Sequence, residues 1–452
     1  MRLRKTITTI VATAILLAGW QLFAVIANQP ELIPSLPRLV RTLCEWLVSG
    51  SFYQSVGATI LRGVLGMSIS FVCAIGMAGL FARFEWVYEL FRPLLAIMRS
   101  IPVISFILLA LIFLNPESIP LMIAFLTMFP LLTENLTRGI LDLRPGLSIM
   151  ARQFHIKRSN VLFQIIYPQL KPFLYSGLAS AAGFGWRAII MGEVLSQCAF
   201  GIGSEMKRAQ NFIYVPELLA WTIVAVFISF FFDKGISKVA DITPKISFAN
   251  EDQTIPTPTL SVLDTKDISY QYGIQHFSHS FQKGIIYGIS APSGKGKTTL
   301  LNLIGGILLP TEGEIHPTRH FGIATIFQQP QLLPHLTAEE NIILPLSSFL
   351  TEEKARRIAQ KHLQEMEMEP FGNRYPKELS YGQQQRIAIA RALAYPSPLL
   401  LMDEPFKGLD EALSHRIIER IREKQMKEER IILFTSHNPD EIRLLADEVI
   451  YL

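Results

Sequence analysis

Residues 290–299 read SAPSGKGKTT and follow the apolar run GIIYGI. A strand that leads into a loop of small residues and then a helix can bind phosphate, because loop N–H groups and the positive helix end face the phosphate oxygens. In such a loop the lysine, here Lys297, reaches the terminal phosphates, and the next hydroxyl, Thr298, binds Mg²⁺. The stretch predicts a nucleotide site that contains these residues: Ala291, Pro292, Ser293, Gly294, Lys295, Gly296, Lys297, Thr298 and Thr299.

The strict pattern G-x-x-x-x-G-K-[ST] lacks its first glycine, because Ala291 occupies that place. Alanine keeps the backbone N–H and only restricts φ, so we expect the loop to bind phosphate if φ stays negative there. Gly294 and Gly296, the positions nearer to the phosphates, are present.

Two adjacent carboxylates end a second apolar run. The stretch SPLLLMDEP at 397–405 places Asp403 and Glu404 directly after LLLM. Acidic residues at strand ends can simply cap helices. Behind a phosphate loop, however, one carboxylate can hold Mg²⁺ and its neighbour can polarise the attacking water. We therefore predict that Asp403 is a magnesium ligand and that Glu404 is catalytic.

Further motifs complete the series: FQQPQLLPHLTAEEN at 327–341, ELSYGQQQRIAIARALA at 378–394, FKGLD at 406–410 and RIILFTSHN at 430–438. With the phosphate loop and the two carboxylates, this order of motifs resembles the ATPase subunit of ATP-binding-cassette (ABC) transporters over 260–452. The resemblance implies that Gln328 reaches Mg²⁺ and the attacking water. It also implies that His437 orients that water at the γ-phosphate of ATP and that Tyr272 stacks on adenine.

The stretch LSYGQ resembles the family's signature, whose helix N-terminus faces the ATP bound by a second copy. The resemblance implies ATP contacts from this part of the chain by Ser380, Gly382, Gln383 and Asp410. Tyr381 occupies a position where the family has glycine. We expect this tyrosine to fit beside the phosphate or to turn outward, with hydrolysis retained.

The chain as a whole is too apolar for a soluble protein of its size, and the excess of apolar residues lies before about residue 235. Of 452 residues, 50% are hydrophobic and 18% are charged. Runs long enough to span a bilayer as helices lie at 6–27, 59–81, 93–114, 118–136, 173–195 and 216–232. The net charge of +4 and the lack of a long basic run argue against a nucleic-acid partner. The three cysteines show no metal-ligand spacing.

Basic residues orient the six predicted spans. Arg2, Arg4 and Lys5 precede the first span, and a basic cluster from Arg138 to Lys171 lies between the fourth and fifth. Positive residues mark the cytoplasmic side, so we expect a multi-pass protein of a bacterial inner membrane with its ATPase in the cytoplasm. The start MRLRK resembles a signal peptide. We interpret the apolar run after it as an uncleaved first helix, since no clear cleavage site follows.

The connection at about 138–172 resembles the cytoplasmic loop of binding-protein-dependent permeases, in which a short helix docks onto the ATPase. The matching parts are Ala151, the stretch VLFQIIYP that ends at Pro168, and Pro172. Ile149 stands in the family's glutamate position and His155 in its glycine position. We therefore expect docking through contacts that differ from those of the family.

Three stretches resemble the nitrate/sulfonate/taurine branch of these permeases: RSIPVISF, GLASAAGFGWRAIIMGEVL and GIG at 201–203. Arg99, Arg187 and Glu193 lie inside or at the ends of predicted spans, where charge is costly. Such a residue faces a cavity or a partner, or it extends its charge to the membrane surface.

Together these features predict two domains of different class. An all-α permease domain of six helices over 1–239 precedes a Pro- and Thr-rich tether at 240–260, and an α/β P-loop ATPase domain of ABC type follows over 261–452. One chain supplies one permease half and one ATPase, so two identical chains should form the transporter.

The expected function is ATP-driven import, across a lipid bilayer, of a small solute that an external solute-binding protein delivers. One alternative is an exporter of the same architecture. Another is a slow ATP-gated sensor or scaffold with impaired hydrolysis. The resemblance suggests an anion such as nitrate or a sulfonate, and a heterocyclic vitamin precursor remains an alternative substrate.

Overall fold

The structure is a computed structural model that describes residues 2–240, 244–253, 260–271, 273–292, 294–317 and 322–452, without the side chains of 2–6, 9, 10, 239 and 240. The chain divides into two compact units. The first comprises Met1–Leu143 and Gln169–Thr243, and the second comprises Arg144–Pro168 and Pro244–Leu452. The second unit thus combines the ATPase part with most of the connection at 138–172, which lies inside the predicted permease range.

The first half of the chain is helical. Its helices are α1 (Arg2–Ala27), α2 (Leu36–Trp46), α3 (Gly50–Arg83), α4 (Glu85–Ser100), α5 (Val103–Phe113), α6 (Ile119–Leu141), α7 (Pro145–Gln153), α8 (Arg158–Asn160), α9 (Tyr167–Ser196), α10 (Ile202–Asn211) and α11 (Val215–Ala240). A π-helical turn, Val161–Ile166, joins α8 to α9. Helices α7 and α8 belong to the second unit.

Most of the predicted spans correspond to long apolar helices of the described chain. Four stretches are long and apolar enough to cross a membrane: Gly50–Arg83, Pro116–Leu141, Arg158–Ser196 and Val215–Lys238. The predicted first span lies within α1, of which the part Val11–Ala27 is apolar.

The prediction of one continuous helix over 93–114 was wrong. Helices α4 and α5 meet within this range at a bend of 94°. Pro102 lacks an N–H and disfavours helical backbone at the residue before it, and Ile101 is indeed extended at φ −71° and ψ 129°. The proline therefore divides this span in two.

Small residues allow α3 to pack closely against α6. A Cβ added at Gly66 would lie 2.6 Å from the Cβ of Ala124, so only glycine permits this approach. Close packing through small residues is typical of helices that associate in membranes.

Two of the three charges singled out in predicted spans are paired in the described chain. Glu193 of α9 is fully buried, and its carboxylate lies 2.7 Å from the guanidinium of Arg62 on α3. Arg99 at the end of α4 pairs with Glu134 of α6. Arg187 lies on an exposed position of α9.

The second unit contains an α/β core. Its strands are β1 (Val262–Tyr270), β2 (Ile274–Gln282), β3 (Ile286–Ser290), β4 (Glu312–His316), β5 (Ala324–Ile326), β6 (Leu399–Asp403), β7 (Ile431–Thr435) and β8 (Glu448–Tyr451). An antiparallel sheet has the order β2-β1-β4, and a parallel sheet has the order β5-β6-β7-β3-β8. Strands β6 and β7 are buried at every residue, because parallel strands are covered on both faces.

Helices α12 (Lys297–Ile304), α13 (Ala338–Leu346), α14 (Glu352–Glu365), α15 (Tyr381–Ala394), α16 (Glu411–Glu428) and α17 (Pro439–Leu445) accompany these strands. Strands β3, β6 and β7 are neighbours and run parallel, so their carboxyl ends share one edge of the sheet. Ligands of open α/β sheets bind at this edge. It carries the phosphate loop, the two adjacent carboxylates and the stretch that leads to His437.

Part of the predicted tether is packed rather than free. The backbone N–H of Ala249 donates to the carbonyl of Ser347 at 3.0 Å, and Ile246 and Phe248 pack against the apolar core of the unit. Residues 244–253 of the predicted tether thus pack against this core, because their apolar side chains cover it. The TIPTPT part lies outside the described residues.

Candidate active site

The phosphate loop connects β3 to α12. Gly294 and Gly296 have φ of +81° and +91°, values that favour glycine. A Cβ at Gly296 would also lie 2.7 Å from the carbonyl oxygen of Gly273. Ala291 is not among the described residues with positive φ, so alanine fits this position without strain. The φ of Ala291 is therefore not positive, which is the condition stated above for phosphate binding by the altered loop.

The side chain of Lys297 is buried, with 7% of its surface exposed, at the start of α12. Its ammonium donates a hydrogen bond to the carbonyl oxygen of Ala291 at 2.6 Å. Ala291 therefore contributes through its backbone, which any residue would supply. The contact keeps the lysine charge within the loop.

The remaining loop residues flank this lysine. Pro292 and Lys295 are exposed in the loop, and Thr299 is half-buried in the first turn of α12. Two predicted contacts, Ser293 and the adenine-stacking Tyr272, lie outside the described residues.

A hydroxyl and a carboxylate converge beside the loop. The Oγ1 of Thr298 donates to one oxygen of Asp403 at 2.9 Å, and the Oγ1 of Thr435 donates to the other at 2.8 Å. Burial raises the pKa of Asp403, against the opposing effect of these two hydrogen bonds. An oxygen pair of this kind suits Mg²⁺, which uses few protein ligands and keeps phosphate and water oxygens around it. Among the described residues no cluster of three acidic, histidine or cysteine side chains offers a different metal site.

Glu404 follows Asp403 in an unusual backbone conformation, with φ of +47°. One of its carboxylate oxygens lies 3.1 Å from the Nε2 of His437, and the other lies 3.0 Å from the ammonium of Lys407. Partial burial acts to raise the pKa of Glu404, but hydrogen bonds from Lys407 and Gln328 outweigh it and hold that pKa below its usual value. Three predicted residues, Glu404, His437 and Gln328, are thus brought together.

Lys407 was not predicted from the sequence. Its signal was present, since a lysine three residues after the predicted catalytic carboxylate can fold back onto it through a tight turn. The backbone N–H of Lys407 donates to the carbonyl of Glu404 at 3.2 Å, which is the hydrogen bond of such a turn.

The signature stretch forms the N-terminus of α15. The hydroxyl of Ser380 accepts from the backbone N–H of Gln383 at 3.3 Å, and the side chain of Gln383 accepts from the backbone N–H of Ser380 at 2.9 Å. This reciprocal pair is a capping box. A Cβ at Gly382 would lie 2.5 Å from the carbonyl oxygen of Gly408, so glycine is required there. Asp410 caps α16 by accepting from Leu413 N at 2.9 Å.

The phenol of Tyr381 is half-exposed and contacts other residues of the same chain. Its hydroxyl donates to the backbone carbonyl of Gln328 at 2.7 Å. Its ring lies against Gly408, where an added Cβ would come within 2.7 Å of the ring. The tyrosine therefore links the signature helix to the segments that carry Gln328 and Lys407.

The docking segment of residues 144–168 inserts buried side chains into the ATPase unit. Ala151 is 3% exposed, and Phe154 is fully buried with its ring centroid 5.2 Å from that of Tyr395. The guanidinium of Arg391 on the signature helix lies over the same phenylalanine ring at 5.4 Å. Burial lowers the pKa of Arg391 to about 10. The amide of Gln153 donates to the carbonyl of Gly305, at the end of α12, at 2.8 Å.

The side chain of Asn160 makes three hydrogen bonds from this docking segment. Its amide nitrogen donates to the Ser247 carbonyl and the Ser347 hydroxyl, and its amide oxygen accepts from Ser247 N, each at 2.8 Å. Asn160 is 1% exposed, so water does not compete for these bonds. His155 has φ of +46°, a conformation that favours glycine, which is the residue that the resemblance led us to expect at this position.

The two prolines of the predicted loop do not end its helical part. Pro168 and Pro172 lie in the first two turns of α9. Pro168 is the second residue of α9, where a proline removes no hydrogen bond that the helix needs, and Pro172 lies inside the helix. The helix therefore runs from the docking segment into the predicted fifth span.

Family models match both halves of the chain. The model described as "ABC transporter" matches residues 274–407. The model described as "Binding-protein-dependent transport system inner membrane component" matches residues 68–233.

Several named relatives match the ATPase half. The thiamine import ATP-binding protein ThiQ of Yersinia pseudotuberculosis is 34% identical over 205 residues, which are 42% of this chain and 86% of that protein. An Fe(3+) ions import ATP-binding protein of Rhizobium etli is 35% identical over 189 residues, 40% of this chain and 54% of the relative, so the chain spans about half the length of that relative. A solved dimeric ATP-binding cassette with ADP and Pi shares 32% identity over 42% of this chain and 94% of its own, with a TM-score of 0.40.

Proposed function

The chain belongs to the ABC transporter family, and on that premise we propose that it is the fused permease and ATPase of a solute importer that works as a dimer. One observation carries the proposal. Residues 144–168 interrupt the apolar half that matches the permease model, yet they pack into the ATPase unit. A permease loop held in this way can transmit movement of the ATPase to the membrane helices.

The chemistry proposed for the site is hydrolysis of ATP. Lys297 would neutralise the terminal phosphates, and Glu404 would accept a proton from the attacking water. His437 would leave the carboxylate of Glu404 to orient that water at the γ-phosphate. Thr298 and Asp403 would hold Mg²⁺, which supplies positive charge to the phosphate oxygens when bound.

Each ATP site requires a second copy of the chain. The capped N-terminus of α15 presents backbone N–H groups of the kind that bind phosphate, and Ser380 and Gly382 lie there. In the proposed dimer this end faces the phosphate loop of the partner, and both composite sites are identical. Both sites then contain Ala291 and Tyr381, so neither site of the dimer has the unaltered phosphate-loop and signature motifs.

Two contacts of the docking segment are suited to transmit closure of the dimer. The amide of Gln153 is hydrogen-bonded to the Gly305 carbonyl at the carboxyl end of α12, and the amino end of the same helix carries Lys297. Phe154 packs under Arg391 of α15, whose amino end carries Ser380. Movement of either nucleotide-binding helix would therefore displace the same loop.

The imported solute is proposed from the permease half alone. The relatives of the ATPase half are named as importers of thiamine, Fe(3+) and glucose at similar identity, so that half does not select the solute. The permease resembles the nitrate/sulfonate/taurine branch, which favours a small anion delivered by an external solute-binding protein.

Glu404→Gln tests the assigned catalytic role. The substitution keeps the shape but removes the proton acceptor, so ATP should still bind while turnover falls at least about 100-fold. ATP binding and phosphate release are measured on the full chain in lipid. Glu429→Gln, which removes an exposed carboxylate paired with Lys283, is the control and should turn over normally. Substantial turnover by the Glu404 variant would refute the assignment, and a wild-type chain without turnover would favour the ATP-gated sensor.

A further inference from the structure

A tight turn holds Lys407 over the predicted catalytic carboxylate. Phe406 is 2% exposed and anchors the turn in the core, while the side chain of Lys407 is half-exposed. The ammonium lies 3.0 Å from Oε2 of Glu404, and the turn is closed by the backbone hydrogen bond between the same two residues. The pairing is therefore built into the local backbone.

Both carboxylate oxygens of Glu404 are engaged in this arrangement. His437 Nε2 lies 3.1 Å from Oε1, and Lys407 occupies Oε2. A carboxylate must direct a free lone pair at a water to accept its proton. In the proposed reaction His437 turns to the γ-phosphate and Gln328, which also donates to Glu404, turns to Mg²⁺ and the attacking water. Lys407 has no such task and continues to compete with water.

Tyr381, the altered residue of the signature stretch, packs against the segment that follows Lys407. Gly408 has φ of +80° and lies directly under the ring of Tyr381. The hydroxyl of Tyr381 is in turn fixed to the Gln328 carbonyl at 2.7 Å. A glycine at position 381 would leave the Lys407 segment without this cover.

We propose that Lys407 is a positioning residue that restrains Glu404, so that ATP hydrolysis requires the ammonium to leave the carboxylate. The inference rests on the proposed role of Glu404. Within the described part of the chain, the ammonium of Lys407 forms its ion pair with Glu404 and not with the phosphate loop. Its removal should therefore alter the rate of hydrolysis and leave ATP affinity unchanged.

Lys407→Met in the full chain in lipid tests the restraint. Its kcat for ATP should rise about threefold, the size expected for an exposed ion pair, with KM for ATP unchanged. Lys407→Arg keeps the charge and should retain the wild-type kcat. Lys283→Met removes a lysine from an ion pair of similar length, 2.9 Å to Glu429, on the surface away from the site, and should leave kcat unchanged.

An unchanged or lower kcat for the Lys407→Met variant would overturn the proposal, as would an equal rise in the Lys283 control. The double variant Glu404→Gln/Lys407→Met should be inactive, because the added turnover must pass through Glu404. Turnover by the single Glu404→Gln variant would instead sink the proposed catalytic role itself. The two failures are therefore distinguishable.

Discussion

Removing the side chain of Asn160 should weaken the docking of the permease loop onto the ATPase. Asn160→Ala deletes three hydrogen bonds of 2.8 Å at a site that is 1% exposed. The N–H and carbonyl groups of Ser247 lose their hydrogen-bond partner, and the hydroxyl of Ser347 loses the donor that it accepted from. The Ser347 hydroxyl keeps its bond to the Leu344 carbonyl.

The size of the effect follows from the groups left unpaired. Each buried polar group without a partner costs about 1–3 kcal/mol. Because Ser247 is only half-buried, water can replace part of its loss, and we expect about 2–3 kcal/mol in total. This corresponds to docking weaker by about 30- to 150-fold. Asn160→Asp should cost at least as much, since it places a buried anion opposite the Ser247 carbonyl, which can only accept.

Docking can be measured on a folded chain that carries a protease site at residues 241–243, so that after cleavage Ser247 belongs to the ATPase fragment and Asn160 to the permease fragment. After cleavage, the ATPase fragment of the wild type should stay bound to a tagged permease fragment, and it should dissociate faster in the Asn160→Ala variant. Asn373→Ala, the same substitution at an exposed position of the ATPase, is the control. Equal retention by the Asn160 variant and this control would refute the argument that the buried amide holds the loop.

Two further predictions concern the altered motifs. Ala291→Gly should change ATP affinity by less than about 1 kcal/mol, because no hydrogen-bond donor is gained, whereas Lys297→Ala should abolish useful binding. Equilibrium nucleotide binding measures both, and a large gain for the glycine variant would show that alanine strains the loop. Tyr381→Gly should change turnover by less than about tenfold in a phosphate-release assay. A greater acceleration would exceed the roughly threefold effect expected from release of Lys407 and would show that Tyr381 itself restrains hydrolysis.

The nucleotide edge of the sheet was predictable because its motifs stand at strand ends. Parallel strands bring such ends together, so the amino-acid sequence alone was enough to group Thr298, Asp403 and Glu404. The bend within 93–114 was signalled by Pro102, but the hydropathy of the run concealed it.

Other features depend on contacts that no local pattern encodes. The partner of Glu193 is Arg62, more than a hundred residues away in sequence, and only the packing of α3 against α9 brings them together. The orientation of the Tyr381 side chain likewise depends on its contacts with the backbone of Gln328 and Gly408. The Pro- and Thr-rich composition of residues 240–260 did not indicate that residues 244–253 would pack against the apolar core of the second unit.

Uptake into proteoliposomes is the decisive test of ATP-driven import by this chain. The full chain is reconstituted with ATP inside, and a candidate solute-binding protein loaded with labelled nitrate or a labelled sulfonate is added outside. We predict accumulation that requires both ATP and the binding protein and that disappears with Glu404→Gln. Net outward movement of the solute, or ATP turnover that neither responds to the binding protein nor moves solute, would contradict import.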